Sequence, residues 1–110
     1  VKPFDIFSWE PPGWNEPHPV VIISHPDRAD RKNTVEVVAC ATARATRGPR
    51  PHEILLDQAD GLDWPTLCYC DLIYAVPRDD IKNARGHVSD DRQRNLIRTI
   101  ISAHAWPEVF

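Results

Sequence analysis

The sequence predicts a mainly β fold, a small barrel with one C-terminal α-helix, on three observations. Short apolar runs rich in β-branched residues recur from Phe4 to Val76, each broken by Pro, Gly or Asp within a few residues. Only the stretch near the C-terminus repeats its apolar residues convincingly at helical spacing. Strands therefore do not alternate with helices, as a parallel sheet of βαβ units would require.

The elements follow in order. Phe4–Trp9 is aromatic and β-prone, and residues 10–17, EPPGWNEP, form a rigid turn-rich loop before Val20–Ser24 resumes as a strand. His25–Asn33 is polar apart from Pro26 and Ala29 and reads as a loop. Thr34–Ala41 is dense in valine and suits a strand covered on both faces. Residues 43–52 make an arginine-bearing loop, Glu53–Leu56 a short strand, residues 57–61 a turn, and Leu67–Val76 a longer strand ended by Pro77. Asp79–Ala84 suits at most a turn of helix, because Asn83–Gly86 contains its own break. The helix begins after Ser89 as cap, with Asp90 and Asp91 at the positive end of its dipole. Leu96, Ile97, Ile100, Ile101 and His104 mark one face, and Pro107 stops it.

The 110 residues fit a single domain, 1–110, and 42% apolar residues suffice for one modest core. A formal charge of -3 gives no global basic field of the kind that advertises duplex binding, so any nucleic-acid contact must be local. Three cysteines, Cys40, Cys68 and Cys70, cannot all pair, and no run resembles a secretory leader or is long enough to cross a bilayer. A reducing cytoplasm and no membrane partner are the expectation. Cys68-x-Cys70 is short for a zinc knuckle and lacks a second close pair, which points to buried thiols. His25, His52, His87 and His104 lack ligand spacing and no glycine-rich phosphate loop is present, so no metal or nucleotide cofactor is expected.

A set of short motifs follows in order along the chain: Phe4-Asp5-Ile6, His18-Pro19-Val20-Val21-Ile22-Ile23-Ser24, Val38-Ala39-Cys40-Ala41-Thr42, Gly61-Leu62, Cys70-Asp71 and Gly86-His87-Val88-Ser89-Asp90. Together they resemble the PemK/MazF toxin family over nearly the whole chain. The resemblance implies an SH3-like barrel of the PemK/CcdB type, a homodimer, sequence-selective cleavage of single-stranded RNA without metal, and neutralisation by a cognate, partly disordered antitoxin protein.

Metal-free RNA cleavage needs a group to take the 2′-hydroxyl proton, one to protonate the leaving 5′-oxygen, and donors for the phosphoryl oxygens. In the family these roles fall to an arginine before the Pro-Val-Val strand, a threonine after the Val-rich strand and, in some members, an arginine-cysteine-aspartate triplet. This chain keeps Thr42 and Asp71 but has His18 at the first arginine position and Tyr69 at the second. Arginine is a permanently charged fork, whereas histidine is a titratable ring with an ordinary pKa of about 6.5 and tyrosine a weak donor. Phosphate clamping is expected to be poorer even where proton transfer survives.

The candidate catalytic residues are therefore His18, Thr42 and Asp71. Each has an ordinary alternative: an exposed loop histidine, a strand-end hydroxyl satisfying a backbone group, and a carboxylate bonded to a neighbouring loop. Period two puts Tyr69 and Asp71 on one face of their strand and Cys68 and Cys70 on the other. A carboxylate inside so apolar a strand is expected to be paired or functional. Arg44, Arg47 and Arg50 recur every three residues after Thr42, and Arg28, Arg31 and Lys32 mark the preceding loop; they form a local rim for phosphates or simply solvate two loops. Tyr69 and Trp14 are candidates for stacking on bases, Trp9 for packing. The reading is an endoribonuclease toxin. The alternatives are a non-catalytic barrel that binds nucleic acid or a protein partner, and a toxin acting on a protein target such as gyrase.

Overall fold

The computed structural model describes residues 1–43 and 48–104. Its strands are β1 (Asp5–Trp9), β2 (His18–Ile22), β3 (Thr34–Thr42), β4 (Glu53–Leu56), β5 (Thr66–Pro77) and β6 (Lys82–His87); its helices are α1 (Pro26–Arg31) and α2 (Asp90–Ala103). All pairings are antiparallel, and the strands form one curled, half-barrel sheet in the order β4-β5-β3-β2-β1-β6. The expected mainly β architecture with a C-terminal helix is what forms.

The valine-rich β3 divides its side chains between two cores. Val38 and Cys40 pack with Ile6, Val21 and Leu56 beneath α2, which contributes Leu96. Val35 and Val37 pack with Val20, Ile22, Val76 and Trp9, joined by Ala29 from α1. A central strand covered on both faces has no solvent side, so its sequence reads as a continuous apolar run. On α2 only part of the expected stripe is used: Leu96 is buried, whereas Ile97 and Ile101 remain 44% and 64% exposed.

Two elements depart from the sequence reading. The polar segment His25–Asn33 is not a loop throughout, because α1 forms within it. His25 Nδ1 accepts from the Asp27 amide at the helix start, and Arg28 pairs with Glu36 of β3 at 2.6 Å. At the far end the Arg78 guanidinium donates to the carbonyls of Ala29, Asp30 and Lys32, satisfying acceptors that a helix end leaves open. The polar stretch 82–87 likewise forms β6, pairing with β1 through Asp5↔His87, Ile6↔Gly86 and Ser8↔Lys82. Its side chains are largely exposed, so no apolar pattern marks it. Strand ends also shift by a few residues, β2 beginning at His18 and β3 reaching Thr42.

The start of α2 is secured differently from expectation. Ser89 occupies the cap position, but its side chain makes no capping bond; its backbone N–H donates to Asp60 Oδ1 at 2.8 Å. Asp60 lies in a 3₁₀ turn, Gln58–Asp60, closed by a reciprocal capping box with Asp57. Arg92 of α2 bridges the two carboxylates, with Nη1 2.7 Å from Asp57 Oδ1 and 2.6 Å from Asp60 Oδ2. Gly61, at φ +86°, ends this turn, and Gly86 of β6 lies directly against it. Two of the motif pieces, Gly61-Leu62 and residues 86–90, thus meet in one structural junction.

The hydrogen bond from Arg92, then that from the Ala59 amide, outweigh burial and hold the Asp57 carboxyl down from the ordinary 3.8 to about 2. A carboxyl depressed on folding stabilises the native state above its unfolded pKa, and that contribution is lost as pH falls through the folded value. Asp57 should therefore contribute fully at neutral pH and progressively less between about pH 4 and pH 2. Urea midpoints measured across this window should fall with pH in the parent chain, and Asp57→Asn should flatten the fall.

Candidate active site

The site is built from strand ends. Because β2 and β3 run antiparallel through Val20↔Ala39, the first residue of β2, His18, and the last of β3, Thr42, lie at the same end of the sheet. The pairs Trp9↔His18 and Thr42↔Thr66 bring the end of β1 and the start of β5 to that end as well.

His18 is not an exposed loop histidine. It begins β2, is half-buried, and its ring meets the indole of Trp14 edge to face, with centroids 4.5 Å apart at 87°. Its Nε2 lies 3.6 Å from Glu16 Oε1, which would pair with the imidazolium form. Trp14 also borders a trough of about 380 Å³ with Trp9, Pro11, Pro12 and Tyr74. Trp9 is buried and packs on Tyr74 at 5.1 Å, as its strand position suggests.

Thr42 is exposed, and its Oγ1 accepts a 3.1 Å hydrogen bond from Trp64 Nε1. The hydroxyl is therefore engaged by a side chain rather than by a backbone group. Trp64 was not singled out in the sequence, where it stands between turn residues with no motif around it; its one signal is a large aromatic flanking a strand start.

A second group forms around an irregularity in β5. Between the pairs Cys40↔Cys68 and Val38↔Ile73, β3 advances two residues while β5 advances five. The extra length throws residues 69–72 into a bulge. The Cys70 amide donates to the His52 carbonyl at 2.9 Å, and the Cys70 carbonyl meets His104 Nε2 at 2.9 Å. Arg50, His52, Glu53, Tyr69, Asp71 and Leu72 then line a cleft of about 330 Å³. Tyr69 is half-buried beside Glu53. Asp71 is exposed, which corrects the expectation of a carboxylate enclosed by an apolar strand: the bulge turns residues 71–73 to solvent, where a charge needs no partner.

Among the described residues no side-chain hydrogen bond or ion pair links His18, Thr42 and Asp71 to one another. Arg50 and Tyr69 share the Asp71 cleft, and Trp14 stands with His18. Arg44 and Arg47 lie outside the described residues. Of the preceding basic loop, Arg28 is committed to Glu36 and Arg31 lies 3.9 Å from Asp27. Arg31 remains largely exposed, whereas Arg28 is half-buried against Glu36.

All three cysteines are free and buried. The Cys68 thiol is pushed well above its usual range by contact with Cys40 and by burial, and the Cys70 thiol by contact with Cys68 and burial, so neither is a ready nucleophile. Among the described residues no group of three or more His, Cys, Asp or Glu side chains is arranged to hold a metal ion. No helix among them is long and apolar enough to cross a membrane.

The curled six-stranded sheet with its C-terminal helix is PemK/MazF-type architecture. A family model described as PemK-like, MazF-like toxin of type II toxin-antitoxin system matches residues 4–104, and the chain belongs to that family. Among solved structures, the Mycobacterium tuberculosis toxin MazF-mt6 superposes with a TM-score of 0.77 at 21% identity, covering 90% of this chain and 94% of that one. An endoribonuclease in complex with its cognate antitoxin, from a mycobacterial species, gives 0.80 at 19% identity over 97% and 99%. The crystal structure of MazE-MazF from Deinococcus radiodurans gives 0.71 at 12% over 93% and 92%. At these identities the likeness shows the fold. No curated protein matches the sequence.

Proposed function

We propose that the chain is a metal-independent endoribonuclease toxin that cuts single-stranded RNA at a short recurring sequence. The observation that carries this reading is Thr42: in a chain of this toxin family, the residue at the family's threonine position stands exposed at a sheet end, its hydroxyl held by an indole. The Thr42 hydroxyl donates to a phosphoryl oxygen as the 2′-hydroxyl loses its proton to Asp71 and its oxygen attacks phosphorus in line; the bond to the 5′-oxygen breaks and a 2′,3′-cyclic phosphate is left. His18, at the position of the family's arginine, protonates the leaving 5′-oxygen. Asp71 assists proton removal, while Arg50 and Tyr69 in its cleft bind a neighbouring phosphate and base, Trp14 stacks on another, and Arg44 and Arg47 add charge.

The toxin works in the cytoplasm as a homodimer neutralised by a cognate antitoxin. Solved complexes of structural neighbours with antitoxins support the last point, and exposed Leu72, Ile73, Ile97 and Ile101 offer apolar surface for association.

The test is incubation of the purified chain with mixed-sequence RNA in EDTA, with cut ends mapped by primer extension. Cuts at one short sequence are expected, about 100-fold slower for Thr42→Ala. His18→Arg should lower the rate, since a guanidinium does not give up its proton as an imidazolium does. Intact RNA from the folded wild-type chain would overturn the reading in favour of a non-catalytic or protein-directed member of the family.

A further inference from the structure

Trp64 is 49% exposed although tryptophan is the largest apolar side chain. Its backbone is nonetheless fixed. The Thr66 hydroxyl donates to the Trp64 carbonyl at 3.2 Å, the Ala43 amide donates to the Pro65 carbonyl at 3.0 Å, and Thr66 itself pairs with Thr42 across β3 and β5. The indole is thus held over the end of β3 by its neighbours on both sides.

An indole N–H only donates, whereas a hydroxyl has one proton and two lone pairs. The bond from Trp64 Nε1 occupies a lone pair of Thr42 Oγ1 and turns the hydroxyl proton away from the ring. Among the described residues no acceptor takes that proton. Because Thr42 is exposed, a phosphoryl oxygen arriving from solvent can accept that proton. The indole bonded to that hydroxyl is itself half exposed.

We propose that Trp64 is a positioning and base-stacking residue of the RNA site: its N–H orients the Thr42 hydroxyl, and its exposed ring stacks on a base next to the scissile phosphate. This rests on the role given to Thr42 above. A nucleobase suits the surface because stacking on an aromatic ring tolerates any sequence and needs no charge.

Trp64→Phe removes the N–H and keeps a ring; Trp64→Ala removes both. Trp64→Phe should lower kcat about tenfold with KM little changed. The loss should vanish in a Thr42→Ala background, since the two residues act through one hydrogen bond. Trp64→Ala should in addition weaken binding of an uncleavable 2′-O-methyl oligonucleotide about tenfold. A wild-type rate for Trp64→Phe, or an equal loss in both backgrounds, overturns the positioning role. Unweakened binding by Trp64→Ala overturns the stacking role. If the wild-type chain cuts no RNA, the proposed activity and the positioning role fall together, and the binding measurement still decides the stacking role by itself.

Discussion

Arg92→Met should destabilise the fold by about 3–4 kcal/mol, read as a fall in the urea midpoint at neutral pH. Arg92 is the cation between Asp57 and Asp60, and the Asp60 carboxylate is fully buried. Without the guanidinium Asp60 keeps two backbone donors, the amides of Asp57 and Ser89. Those bonds do not neutralise its charge, and an unpaired buried charge is costly. The effect sits toward the low end of the range because about a third of the Arg92 side chain is solvated. Arg92→Lys should recover only part, since an ammonium does not present the planar fork that spans both carboxylates. A loss below about 1 kcal/mol for Arg92→Met would show that the backbone donors suffice.

Gly86→Ala should cost about 3 kcal/mol on the same measurement. A Cβ there would lie 2.1 Å from the Asp60 carbonyl oxygen and 3.2 Å from the Gly61 Cα. Neither atom is free to retreat: the Asp60 side chain is tied to Arg92 and Ser89, and Gly61 closes the turn through its bond to the Gln58 carbonyl. Gly13→Ala is the control. It too replaces a glycine, at φ +85°, but meets nothing within 4 Å, so only the backbone cost of about 1 kcal/mol remains.

Much of this fold was legible because burial leaves a local mark. The valine run of β3 and the spacing of Leu96 and Ile100 in α2 announce elements that are apolar where they pack. The elements missed carry no such mark. α1 depends on Arg78, 46 to 49 residues away, and β6 on pairing with β1 at the opposite end of the chain. Neither dependence lies within a sequence window.

The candidate site divides the same way. His18 and Thr42 come to one end of the sheet by simple antiparallel pairing, which their places beside strand motifs anticipate. The Trp64 contact spans 22 residues and follows no period. Asp71 seemed enclosed because its strand reads as regular, yet the three-residue excess in β5 is invisible without its partner strand. The motif glycines were legible as positions and not as roles. Gly61 and Gly86 lie in the junction that fixes the start of α2.

The half-barrel has a consequence for solubility at high concentration. An open sheet ends in two strands whose outer backbone groups can template the addition of another chain. Here those strands are β4 and β6. β4 is only four residues long, too short to nucleate much further pairing. β6 carries Lys82 and Arg85, and its ladder with β1 is interrupted between Ile6 and Ser8. A short edge on one side and a charged, irregular one on the other discourage lateral growth into fibrils, so the sheet can stay open without spreading from chain to chain.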